Sequence, residues 1–432
     1  MTPDSSRIQR IYLTLMLGNT LAASFIWGIN TIFLLDAGLS NFEAFTANAF
    51  FTAGMVIFEI PTGVVADTIG RRVSYLAGTV TLMVTTLLYV LLWQMEGPFW
   101  AWAVVSVLLG LGFTFFSGAV EAWLVDALDA TGFTGSLEAV FGRGQIVTGI
   151  GMLSGSVLGG FVAQLTSLGI PFVMRAAVLA VMFIYAFYAM KDIGFSRKKS
   201  TGTIPEMRLI TRNSVKYGLR VPSVKWLMLS SFFTSGVSIY AFYALQPYLL
   251  DLAGDPEAYG IAGITAALVA GAQILGGIAA PRIREQFSLR TSALLFAVAI
   301  SSVTLLLIGI FGNFWAVVFL VAIWGLLFAA AMPIRQAYMN GMIPSEQRAT
   351  ILSFDSMIGS TGGVVTQPVL GRSADVYSYG TSYLFGAAIS ACALPFIWMS
   401  RRQKNDADAG VSTPEADIGV ETPPEAKDAL DG

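Results

Sequence analysis

Five ionisable residues, Glu59, Glu121, Arg143, Arg335 and Asp355, stand within or at the inner edge of long apolar runs. A charge in such a setting needs a partner of opposite sign or a change of protonation, so each is a candidate for ion or proton chemistry. The chain has no histidine and a single cysteine, Cys392. Carboxylates are therefore left to carry protons, and no intramolecular disulfide can form. No phosphate-cradling Gly-rich loop, metal-ligand cluster or nucleophile–base set can be picked out, so neither an enzyme, a cofactor nor a nucleic-acid partner is expected.

The elements that must hold these charges are apolar helices. Of 432 residues 55% are hydrophobic and 12% charged, with a mean hydropathy of +0.69, whereas soluble domains run at about 25% charged. Twelve candidate spans follow from the apolar runs, at 8–35, 43–66, 74–94, 98–128, 140–166, 170–190, 223–251, 258–280, 290–311, 314–340, 347–372 and 381–400. Most reach the ~20 residues that cross a bilayer as a helix. The run "AVVSVLLGLGFTFF" does not alternate as a barrel strand would. The expected fold is an all-α polytopic membrane protein. The first run is too long for a signal-peptide core and reads as the first span, and Cys392 reads as a small buried packing residue.

Charge orients the bundle. Of the 25 Lys and Arg, 23 fall at the N-terminus, the C-terminus or the loops on their side, and only Arg175 and Arg372 fall on the other. By the positive-inside rule both termini are cytoplasmic. Residues 191–222 form a basic connector, and 401–432 an acidic tail rich in Pro, Ala and Gly, expected to be disordered.

The two sides of that connector repeat. "GVVADTIGRR" (63–72) falls on "GIAAPRIREQ" (277–286), "EAWL" (121–124) on "QAYM" (336–339), and "GSVLGG" (155–160) on "QPVLGR" (367–372), at offsets between 212 and 215. Residues 1–190 and 223–400 are thus two six-helix halves, an arrangement that places substrate between them near the midplane. In this register Glu121 lies near the mate of Arg335 and Arg143 near that of Asp355. Two ion pairs of swapped polarity are expected, Glu121 with Arg143 and Arg335 with Asp355, either as structural glue or as coupling groups. Glu59 falls on Gln273, and the register brings it no basic residue. Desolvation at that depth would favour its protonated form. Glu59 is accordingly the first candidate for proton coupling, with Asp355 and Glu121 in reserve; the alternative is a permanently protonated acid bonded to backbone freed by Pro61.

Gly63, Asp67, Gly70, Arg71 and Arg72 resemble the signature of the loop between the second and third spans in the major facilitator superfamily, with Thr68 where a basic residue is usual. The resemblance, in topology, connector and duplication, covers residues 1–400. It implies a cytoplasmic latch, with Asp67 against the N-terminus of the eleventh span and the arginines against an acid ending the fourth, Asp126 or in reserve Asp129. The stretch "GRGQIVTGIGMLSGSVLGG" (142–160) spaces Gly142, Gly151, Gly155, Gly159 and Gly160 in a way that resembles the fifth-helix signature of proton-coupled exporters, with Ser156 in place of its Pro. Gly151, Gly155 and Gly159 make one stripe that lets a neighbouring helix approach. That neighbour is expected in the second half, sealing one side of a cavity, or the stripe is plain membrane packing; Gly142 lies off the stripe.

Polar and aromatic residues at mid-depth nominate a cavity lined by Asn19, Phe25, Trp27, Phe116, Ser117, Tyr240, Tyr243, Gln246 and Gln273, suited to amphipathic or aromatic solutes. The leading expectation is a secondary active transporter exporting amphipathic small molecules in exchange for protons, as a monomer in the bacterial inner membrane. An importer, symporter or facilitator of a nutrient or metabolite on the same fold is the second. A receptor or lipid-handling scaffold without a transport cycle is the third, against which the latch and the membrane carboxylate count.

Overall fold

Hydrocarbon offers backbone N–H and C=O groups no partner but each other, so every apolar run closes its hydrogen bonds internally as a helix. The computed structural model describes residues 5–116, 118–195, 221–343 and 348–409, the side chains of residues 138 and 348–350 apart. In the first half the helices are α1 (Ser5–Trp27), α2 (Asn30–Asp36), α3 (Asn41–Thr68), α4 (Arg71–Gln94), α5 (Phe99–Thr114), α6 (Ala119–Ala130), α7 (Leu137–Leu165) and α8 (Gly169–Ala189). The second half has α9 (Pro222–Ala253), α10 (Tyr259–Glu285), α11 (Arg290–Ile310), α12 (Phe314–Met342), α13 (Arg348–Val376), α14 (Tyr379–Ala391), α15 (Ala393–Arg402) and the short α16 (Asp406–Ala409).

Three spans are broken. The α1–α2 pair is bent by 46°, α14 runs into α15 at Cys392, and the fourth span splits into α5 and α6. The last break falls at Gly118, whose φ of +69° lies in the left-handed region that a side chain disfavours. Counting each broken helix as one gives twelve among the described residues, of which all but α13 are long and apolar enough to cross a membrane. Of these, α13 is the least apolar because its Ser, Thr, Gly and Gln residues pack against α3, α9 and α14 rather than lipid. Cys392 is exposed, not buried as expected, because it falls on an outward face of the helical path that runs from α14 into α15.

The glycine stripe packs within its own half, which corrects the expectation of a partner in the second. Gly151 meets Leu17 and Thr20, Gly155 meets Leu21 and Ser24, and Gly159 sits on the Phe25 carbonyl, all on α1. The second half repeats this crossing, with Gly359 against Ser235 and Gly362 on the Phe232 carbonyl of α9. Contact between halves begins one residue on. A Cβ at Gly160 would stand 2.7 Å from the Tyr259 carbonyl, and Gly28 and Gly160 both lie against Gly263. Its counterpart is Gly371, whose Cβ would stand 2.9 Å from the Asn41 carbonyl, beside Phe45.

These inter-half crossings close the side of the bundle away from the termini, and each ends in a polar bond to a helix N-terminus. Gln164 on α7 accepts from the Gly260 N–H at 3.0 Å. Asp375 on α13 accepts from Asn41 and Phe42 at 2.9 and 2.8 Å, where the positive end of α3 favours an anion. Gln246 adds a third tie, accepting from the Thr31 N–H at 3.0 Å and donating to the Trp27 carbonyl at 2.5 Å.

On the side of the termini each half is tied to itself. After α8, Asp192 accepts from the Arg72 N–H at 2.9 Å at the start of α4. After α15, Asp408 accepts from the Thr291 N–H and Oγ1 at 2.7 and 2.6 Å at the start of α11. The expected disordered tail therefore does not begin at 401. Residues 401–409 hold helical turns, and Ala407 and Asp408 are buried because a carboxylate and a small apolar residue fit the α11 N-terminus and the gap beside Gly341. The remainder of the tail, 410–432, and residues 196–220 of the connector lie outside the described residues.

Candidate functional site

With the far side closed, the space between the halves opens toward the termini. One cavity of about 530 Å³ lies in the first half, between α1, α3, α4, α5, α6, α7 and α8. A second, of about 710 Å³, opens between α3, α6 and α13. They share Met55, Glu59 and Gly118, so the break in the fourth span and the carboxyl of α3 stand at their junction.

Of the nominated cavity residues, Asn19, Trp27 and Phe116 line the first cavity. Asn19 accepts from the Tyr75 hydroxyl at 2.7 Å, and the Phe116 ring packs 5.0 Å from that of Tyr75. Ser117 lies outside the described residues. Phe25 is buried at the α1–α7 crossing, where its backbone packs against Gly159, and does not line it. Tyr240 is 1% exposed, donates to Ser382 at 2.6 Å and packs against Phe45 at 4.5 Å; it is core. Gln246 is spent on the far-side tie, and Gln273 lines neither cavity. Tyr243 stands within electrostatic reach of Arg175.

The charged residues divide as follows. Arg335 and Asp355 meet in a two-pronged pair at 2.5 and 2.6 Å, with Asp355 8% exposed. Ser231 donates to Asp355 at 3.3 Å and Arg335 to the Leu227 carbonyl at 3.2 Å. Glu121 and Arg143 do not pair among the described residues. Arg143 is exposed and turns back to the Ala139 carbonyl at 3.2 Å, whereas Glu121 faces the first cavity. Glu59 is open to the cavities rather than desolvated, and it engages another residue, so the expectation of a buried carboxyl left to itself is corrected.

In the loop between α3 and α4, Arg71 pairs with Asp67 one turn earlier and lies 3.6 Å from Asp126 of α6. Arg72 donates to the Phe187 carbonyl at 2.5 Å and covers the Phe187 ring. Gly70, at a φ of +140°, abuts Asp192, and Gly63 faces open space in the second cavity. Asp67 lines that cavity along with Ser353 and Phe354 of α13. Gly142 likewise has no neighbour within 4 Å of an added Cβ.

Sequence reasoning missed Arg175. Charge counting only placed it on the far side, yet it lies within α8, 2% exposed, on the wall of the first cavity. A basic residue six positions into an apolar run, with no acid nearby in the helix, was the signal available.

A family model described as the Major Facilitator Superfamily matches residues 12–303 and 262–417. The chain belongs to that superfamily. Its members are membrane transporters and not enzymes, and this chain is an integral membrane protein. It is similar to the multidrug resistance protein MdtG of Proteus mirabilis (strain HI4320), at 26% identity over 269 residues, 60% of this chain and 63% of the relative. The MdtG of Dickeya zeae (strain Ech586) is 24% identical over 272 residues, 61% of this chain and 64% of the relative. The matched region thus spans less than two-thirds of these relatives. The crystal structure of the nucleoside transporter NupG superposes with a TM-score of 0.74 at 13% identity, covering 91% of this chain and 98% of that one, which establishes the fold alone.

Proposed function

We propose that this chain exports amphipathic small molecules across the bacterial inner membrane in exchange for protons, working as a monomer by alternating access. The observation that carries the reading is Glu59 at the junction of an aromatic-lined cavity and its opening. The positive-inside distribution makes the open side cytoplasmic, so this is the state that loads from the cell interior. In it Glu59 is wet; in the opposite state the same carboxyl faces a changed environment, and such a change shifts a proton on or off. The similarity to proteins named for multidrug resistance supports export. The loop signature acts as the cytoplasmic latch when that side closes, with the Arg71, Asp67 and Asp126 cluster as its fixed part.

The test is extrusion of a lipophilic cationic dye from preloaded cells expressing the full chain. The expected result is extrusion that a protonophore abolishes. Dye or metabolite accumulation in place of extrusion would instead favour an importer.

A further inference from the structure

Building on the transporter reading, we infer that Arg175 recognises the acidic group of a zwitterionic amphiphile whose ammonium end meets Glu59 and Glu121. The three charges line one cavity. Arg175 lies deepest: it is 14 residues from the termini-side end of α8, while Glu59 and Glu121 are each nine from the ends of α3 and α6. At the ~1.5 Å helical rise per residue, that separates the guanidinium from the carboxyls by roughly 7 Å along the bundle axis.

The guanidinium is built in but not neutralised. Among the described residues it has no carboxylate partner, and its buried Nε has no hydrogen bond. It lies over the face of the Phe113 ring, 5.8 Å from the ring centroid, which offsets only part of the loss of water. A buried cation that its own protein leaves short of partners on a cavity wall is completed by an anion arriving with the ligand. Tyr89 of α4 and Tyr243 of α9 stand within reach of its charge, one from each half. The glutamates at the mouth fit an ammonium on the same ligand, and the Phe113 and Phe116 rings on the same cavity wall fit its apolar body.

The experiment uses the full chain purified into nanodiscs and three probes on one skeleton: naphthylalanine, naphthylethylamine and naphthylpropionate. Calorimetric titration should show naphthylalanine binding about tenfold or more tighter than naphthylethylamine. That ratio should collapse toward unity in Arg175→Gln and recover in part in Arg175→Lys, which keeps the charge but not the fork. Lysophosphatidylcholine carries the same pair of charges on a lipid; competition by it that depends on Arg175 assigns the recognised head group to lipid rather than solute. Equal binding of amine and zwitterion by the wild type overturns the inference, as does equal weakening of all probes by both variants. If naphthylethylamine is extruded while acid-bearing probes are ignored, this inference fails and the export reading stands.

Discussion

Asp355 shows how a charge is kept inside this bundle. It accepts two bonds from Arg335 and one from Ser231, so neither charge is left to hydrocarbon. Removing one partner strands the other, at a cost of about 3–5 kcal/mol. Asp355→Ala should therefore lower the thermal midpoint of the purified protein sharply. Asp355→Ala combined with Arg335→Leu should recover most of that loss, and a double variant as unstable as the single one would contradict the pairing argument. The repeat register brought Arg335 to Asp355, but it also brought Glu121 to Arg143, where Arg143 turns onto its own helix. Register fixes which residues are neighbours in depth; rotamer and the competing backbone carbonyl decide which of them touch. Arg175 was illegible for another reason, since a charge count sorts residues by nearness to a loop and is blind to where a helix dips into the bundle.

At the scale of elements, the glycines of α7 do two jobs on two faces. Gly159 lets the α1 backbone approach, and Gly160, one residue on, lets α10 approach from the other half. Gly159→Val would drive its side chain into the Phe25 carbonyl and should prevent the first half from assembling, read as loss of folded protein in size-exclusion chromatography. Gly142→Ala meets nothing and should be neutral or slightly stabilising, since alanine is favoured in helices by about 1 kcal/mol. Spacing in the sequence exposed the stripe because periodicity is local; which helix it faces depends on tertiary packing, and there the expectation failed. Asp375 and Gln164 belong to this scale too. An anion at a helix N-terminus contributes about 0.3–1 kcal/mol, so Asp375→Ala should shift the bundle toward the state open on the far side. Faster labelling of a cysteine introduced beside Trp27 by a membrane-impermeant reagent added only from the far side would report it; unchanged labelling would show that the glycine crossings alone hold that side.

The whole molecule was legible where physics is one-dimensional. Eleven of the twelve spans follow from apolar length, all but α13, and two halves from repeated motifs. The tail was not. Composition marked 401–432 as polar, and it could not reveal that Asp408 returns to the start of α11 as Asp192 returns to the start of α4. Asp408→Ala should cost about 1–2 kcal/mol of stability, as loss of a helix cap does, read by thermal unfolding. The cavity geometry describes a bundle closed on the side away from the termini and open on the other; in the proposed cycle Glu59 changes surroundings as the halves rock. Proton movement in inside-out vesicles holding an acid-interior ΔpH tests that most directly. An amphipathic substrate should collapse ΔpH with the wild-type chain and fail to do so with Glu59→Gln. Substrate movement by Glu59→Gln that keeps the wild-type dependence on ΔpH would contradict the account.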